Sequence, residues 1–213
     1  MKYFFDTEFI EGFSKSFFSK KRHFIDLISI GIVDENDKKL YLVSNEYNYN
    51  DADTWVKDNV ILPLYISMVH GDQRNYLTVQ NFHKVLGVSN KEIAKQIKIF
   101  CDDTDPKFYA YYADYDWVLF CSLFGTMMNL PKTFPMYCRD LKQMLDESQE
   151  KRNQLKQYID DSKGALDKHE ENSMVFPLQL QDHSYYPKQE NEHSALDDAN
   201  WNYELYKFLK KVN

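Results

Sequence analysis

Three apolar runs of strand length open the chain and tie it to folds built on a sheet. The first, Tyr3 to Phe9, reads YFFDTEF and is short and aromatic-rich. The second and third, Ile25 to Val33 and Lys39 to Tyr47, are joined by the turn-rich DENDK and predict an antiparallel meander. Helical signals follow. DADTWVKDNVILPLY reads as a short helix ended near Pro63, and Ser89 with Glu92 makes a capping box ahead of IAKQIKIF. KFYAYYA reads as a buried strand and PMYCRDL as a short one; between them DYDWVLFCSLFG reads as a helix with Asp114 as N-cap and Gly125 as stop. A last helix begins at Ala195, behind a capping box of Ser194 and Asp197. This order spells an α/β fold with a sheet of mixed strand directions.

The 213 residues, 43% hydrophobic and 16% aromatic, supply one sizeable core, so a single domain over 1–213 is expected. Residues from about 146 to 190 read as a charged helical insertion before the C-terminal helix. Gly164 breaks it, and Leu155, Ile159 and Leu166 are its sparse apolar positions. The N-terminus lacks the apolar stretch of a signal peptide, and no window approaches the roughly 20 apolar residues that span a bilayer. A cytoplasmic protein without membrane attachment is expected. Cys101, Cys121 and Cys138 form no CxxC pair, which argues against a disulfide framework and a structural zinc site. A net charge of -7 disfavours a protein that coats nucleic acid through a broad basic face. It leaves room for an enzyme that grips one strand end, because an acidic metal site adds negative charge that bound cations offset.

Asp6 and Glu8 are the only Asp-x-Glu pair in the chain. On a strand they project together, while Phe5, Thr7 and Phe9 point the other way. Two adjacent, partly buried carboxylates repel unless a proton or a cation sits between them. The alternative is a turn-capping Asp with a Glu at the exposed strand end. Asp116 falls in the first turn of a helix that follows a strand, where sheet proteins gather active-site groups; it could equally serve the helix dipole. His193 stands just outside the last helix and Asp198 one turn in. Inside one helix these two would diverge by roughly 140°, but with His193 on the approach loop both can face one cleft. A surface histidine ahead of a capped helix is the simpler alternative. Lys15, Lys20, Lys21 and Arg22, set among Phe13, Phe17, Phe18 and Phe24, could hold phosphates and stack bases, or form a disordered basic loop.

In order along the chain, Asp-x-Glu on the first strand, Asp after a later strand and His-x4-Asp at the last helix resemble the DEDDh exonucleases of the ribonuclease H-like fold. YFFDTEFIE, LISIGIV, WVKDNVILPL, YADYDWVLFCSLFG, RDLKQML and HSALDDA resemble segments of the ribonuclease AS family, bacterial exoribonucleases that prefer adenylate tracts. GFSKSFFSKKRHF is longer than that family implies, Tyr65 to Lys91 matches poorly, and 146 to 190 looks inserted. The resemblance implies a mixed sheet flanked by helices and 3′-5′ hydrolysis of single-stranded RNA to 5′-mononucleotides. It makes Asp6, Glu8, Asp116 and Asp198 the ligands of two Mg²⁺ or Mn²⁺ ions and His193 the general base, and places Thr7, Glu8 and Phe9 against the last sugar and base. It also implies a homodimer. Two other readings stay open: the same chemistry on single-stranded DNA, since no reader of the 2′-hydroxyl is identifiable, and a non-catalytic module that binds a metal or nucleotide.

Overall fold

The computed structural model describes residues 1–13, 20–70, 76–161 and 179–212. Its centre is a five-stranded sheet of order β3-β2-β1-β4-β5. β1 (Lys2–Phe13), β2 (His23–Asp34) and β3 (Lys39–Val43) form the expected antiparallel meander. β4 (Lys107–Ala110) and β5 (Arg139–Asp140) extend it in parallel on the other side of β1. This mixed α/β topology is compatible with the ribonuclease H-like fold.

The helices are α1 (Thr54–Val56), α2 (Leu62–Val69), α3 (Phe82–Leu86), α4 (Asn90–Phe100), α5 (Asp114–Leu123), α6 (Leu141–Asp161) and α7 (Ala195–Val212). Strand alternation sorts them into layers. Tyr3 and Phe5 pack with Ile93 and Ile97 of α4 and Phe120 of α5. Phe4, on the opposite face, packs with Leu141 and Leu145 of α6 and Leu205 and Phe208 of α7. Phe4, Phe5, Phe108 and Phe120 are wholly excluded from solvent, and each such burial contributes about 1.5–3 kcal/mol. Ile10 and Ile28 meet Ile61, Leu64 and Phe82 in a third group beneath α2 and α3.

Three expected boundaries move for identifiable reasons. Pro63 does not end its helix. Asp53 caps α1 by accepting from the Val56 N–H at 2.8 Å, a π-turn follows over Lys57–Ile61, and α2 carries Pro63 in its first turn. Widening the turn, so that the Leu62 N–H reaches the Lys57 carbonyl, relieves the clash between a proline ring and the carbonyl four residues back. Asp114 is not the N-cap of α5: Ala113 is, and its N–H is taken by Asp140 Oδ2 at 3.0 Å. Asp140 also ends β5 early, because its other oxygen accepts from the N–H groups of Lys142 and Gln143 at 2.6 and 3.2 Å and so starts α6. Gly125, with φ of 99°, follows α5 as expected, and Ser89 accepts from the Glu92 N–H at 3.2 Å.

Residues 146–161 of the expected insertion continue α6, with Leu155 exposed. Gly164, Leu166 and the side chain of Ile159 lie outside the described residues, as do Lys15, Phe17 and Phe18. The three cysteines are free. No helix among the described residues is long and apolar enough to cross a membrane.

Two features of β1 and β2 position the site. Gly31 on β2 pairs with Asp6, and the first turn of α7 crosses so close that the Ala195 carbonyl would meet any Cβ there. Farther along, among the described residues, β4 pairs with β1 only over Lys2–Phe4, and β3 pairs with β2 only over Ser29–Val33. The outer halves of β1 and β2, from Phe9 to Phe13 and from His23 to Leu27, therefore run on as a two-stranded arm. A bulge between Glu8 and Phe9 marks where the arm begins, with Ile28 the extra residue on β2.

Candidate active site

Directly opposed residues of an antiparallel pair share a face. The start of α7 that lies over Gly31 therefore arrives beside Asp6, and Asp198, one turn in, joins it. Carboxylate oxygens of Asp6, Glu8 and Asp198 all lie within 4.8 Å of one another. Asp116 approaches from α5, where its Oδ1 accepts from the Thr7 N–H at 2.9 Å and from the Thr7 hydroxyl at 2.5 Å. Asp116 and His193 line the same cavity, of about 330 Å³, as the three converging carboxylates. The five residues that carry the sequence resemblance thus share one cleft.

The electrostatics of the cluster are unfavourable by themselves. Burial, then the neighbouring Asp116, Glu8 and Asp198, hold the Asp6 carboxyl well above the usual carboxylate range. Glu8 is pushed up to about 8 by burial and by Asp198 and Asp116. Asp116 is pushed up to about 6 by burial, although both Thr7 bonds act in the opposite direction. Asp198 is raised by burial too, against the bonds it accepts from Gln189 and His193.

His193 has a left-handed backbone, φ 70°, and its N–H donates to Asp198 Oδ2 at 3.0 Å. Gln189 Nε2 donates to the other oxygen at 2.6 Å. The imidazole meets the Trp55 ring edge to face, centroids 4.7 Å apart at 80°. The loop is thereby tied through its backbone and Gln189 to one carboxylate of the helix, while the imidazole rests on Trp55. Thr7 is buried, with both donors on Asp116, while Phe9 is half-buried and lies parallel to Tyr115 at 5.6 Å. The Tyr115 hydroxyl donates to Glu11 Oε1 at 3.1 Å.

Several contributors had escaped the sequence reading. Trp201 and Asn202 line the cavity three and four residues after Asp198, and helical spacing alone would have found them. Nothing in the local sequence marks Tyr115, beside Asp116 on α5, or Gln189, on the approach to α7, and Trp55 reaches His193 only through tertiary packing.

No protein-family model matches the chain. Compared with known proteins, it is 33% identical over 150 residues to the 3′-5′ exoribonuclease Rv2179c of Mycobacterium tuberculosis (strain ATCC 25618 / H37Rv), a match covering 69% of this chain and 75% of that protein. The 3′-5′ exoribonuclease MT2234.1 of the CDC 1551 / Oshkosh strain matches to the same extent. The chain belongs to the 3′-5′ exoribonuclease family of enzymes. In this exoribonuclease-family site the donor set fits divalent cations on its chemistry. The converging ligands are carboxylate oxygens, which hard cations prefer. They repel one another, and among the described residues lining the cavity there is no lysine or arginine to offset them.

Proposed function

We propose that the protein is a metal-dependent 3′-5′ exoribonuclease of the DEDDh type, close to ribonuclease AS, that trims single-stranded RNA to 5′-mononucleotides. The observation that supports this most is the gathering of Asp6, Glu8 and Asp198 within 4.8 Å, in one cavity with Asp116 and His193. Asp6, Glu8, Asp116 and Asp198 hold two Mg²⁺ or Mn²⁺ ions, whose chemistry when bound is to acidify a water and neutralise the scissile phosphate. His193 takes the proton from the attacking water as its oxygen bonds to phosphorus. The bond from phosphorus to the 3′-oxygen breaks, that oxygen takes a proton from solvent so that the shortened RNA ends in a 3′-hydroxyl, and the released nucleotide keeps its phosphate at the 5′ position. Trp55 and the bond to Asp198 fix the direction in which the imidazole faces. Glu8 and Phe9 lie against the terminal sugar and base, and Thr7 backs them by holding Asp116.

The test is hydrolysis of RNA and DNA oligomers labelled at either end, in Mn²⁺, Mg²⁺ or EDTA. The expected result is labelled mononucleotide from 3′-labelled RNA, a ladder shortening from the 3′ end of 5′-labelled RNA, and no reaction in EDTA. Internal cuts, turnover in EDTA, or degradation of DNA with RNA left intact would each reject the reading.

A further inference from the structure

The arm formed by the outer halves of β1 and β2 is not needed to gather the carboxylates, yet it starts at the residue after Glu8. A second cavity of about 560 Å³ runs along it, lined by Phe9, Phe13, His23 and Trp55 among others. The two cavities share Glu8 and Phe9, so they meet at the catalytic cluster. Phe13 is 62% exposed, its ring set edge to face on His23 at 5.4 Å, and it supports no part of the core. Phe24 is differently employed: its ring covers Gly12 on the facing strand and packs against buried side chains.

The arm itself carries Glu11 and Asp26, but the charge immediately ahead of β2 runs against the rest of the molecule. In a chain of net charge -7, Lys20 and Lys21 stand exposed where the arm returns toward β2, with Arg22 beside them. Among the described residues neither lysine has a carboxylate partner. Of the three acidic groups lining the second cavity, Glu8 belongs to the carboxylate cluster and the other two are engaged. Glu11 accepts from His23 at 2.7 Å and from Tyr115, and Asp53 caps α1. Exposed aromatic faces next to cations suit an unpaired nucleic-acid strand, whose bases stack while its phosphates are neutralised.

We infer that the β1–β2 arm is the track for RNA upstream of the scissile bond, with Lys20 and Lys21 on its phosphates and Phe13 beneath an unpaired base. This rests on the exoribonuclease reading above. A protein that is acidic around its cleft needs a cationic hold on the strand outside it, and the arm supplies one that joins the cleft directly.

The experiment compares the wild type with the double variant K20A/K21A and with F13A, on a dinucleotide and on RNA of about 20 nucleotides, across a salt series. For the longer RNA, KM is expected to rise on the order of tenfold in each variant, and the salt dependence of K20A/K21A to flatten by about one to two phosphate contacts. Dinucleotide hydrolysis is expected to stay at the wild-type rate, with melting temperatures unchanged. Unaltered KM and salt dependence on the longer RNA would overturn the inference while leaving the exoribonuclease reading intact. Equal losses on both substrates would also overturn it, since the arm would then only brace the site. A wild type inert on both RNAs would remove the exoribonuclease reading and this inference together.

Discussion

Gly31 stands across the strand pair from Asp6, and the carbonyl oxygen of Ala195 lies 2.3 Å from where a Cβ on Gly31 would sit. The obstacle is backbone, which cannot rotate aside. Gly31→Ala must therefore lift the first turn of α7 off the sheet and draw Asp198 away from Asp6 and Glu8. A stability loss of about 1–3 kcal/mol is expected from the overpacking, with RNA hydrolysis reduced by more than the unfolded fraction explains. Thermal melts and turnover well below the melting point separate the two effects. Full turnover in a folded variant would show that this close approach does not set the carboxylate geometry.

Asp6→Asn offers a cleaner separation of stability from activity. Burial and three neighbouring carboxylates disfavour ionisation of Asp6 in the metal-free protein, so an amide that never ionises removes that cost. The variant is expected to melt higher than wild type in EDTA, to gain little from Mn²⁺, and to lose hydrolysis. A lower melting temperature in EDTA would mean that Asp6 has a stabilising partner in the metal-free state.

The same repulsion gives stability a definite pH dependence. Glu8 is raised from 4.5 to about 8 on folding, and Asp116 from 3.8 to about 6. Between those limits the folded state binds more protons than the unfolded chain, so stability present at the acid end is lost as pH climbs through the folded values. Melting in EDTA is expected to fall between about pH 4 and pH 8, the window of these shifts. Mg²⁺ or Mn²⁺ should raise it most at the alkaline end, where the carboxylates are ionised. A flat or rising profile in EDTA would contradict the electrostatics of the cluster.

His193→Ala should cost about 10²–10⁴ in kcat with little change in melting, because the bond to Asp198 comes from the residue's backbone. Trp55→Ala, which frees the imidazole, should lower kcat by a smaller factor, and Trp55→Phe should restore most of it. A purified His193→Ala protein that degrades RNA at the wild-type rate would end its assignment as general base.

What could be read beforehand follows the range of the forces involved. The meander, the helix capped by Ser89 and the shared face of Asp6 and Glu8 are local, fixed by alternation, turn residues and a cap within a few positions. Spacing also placed His193 on a loop ahead of Asp198, although not its left-handed backbone. Pro63 misled because a π-turn absorbs it, and Asp114 because Asp140, distant in sequence, takes the N–H at the helix start. Trp55 contacts His193 across more of the chain than any periodicity reports, and Gln189 reaches Asp198 from an irregular loop that has no periodicity to read. Phe13 and Phe24 looked alike in the sequence; only the pairing of Phe24 with Gly12 told them apart.

The alternation along β1 bears on how the protein is made as well as how it works. A nascent strand that paired one position out would turn Phe5 and Thr7 toward the cleft and drive Asp6 and Glu8 in among Ile93, Ile97 and Phe120. Charge forced into that layer has no partner, so the misaligned form is penalised before it can be consolidated. The carboxylates at the centre of the cleft thus double as a checkpoint on assembly, guarding against mispairing in a chain that has yet to meet any substrate.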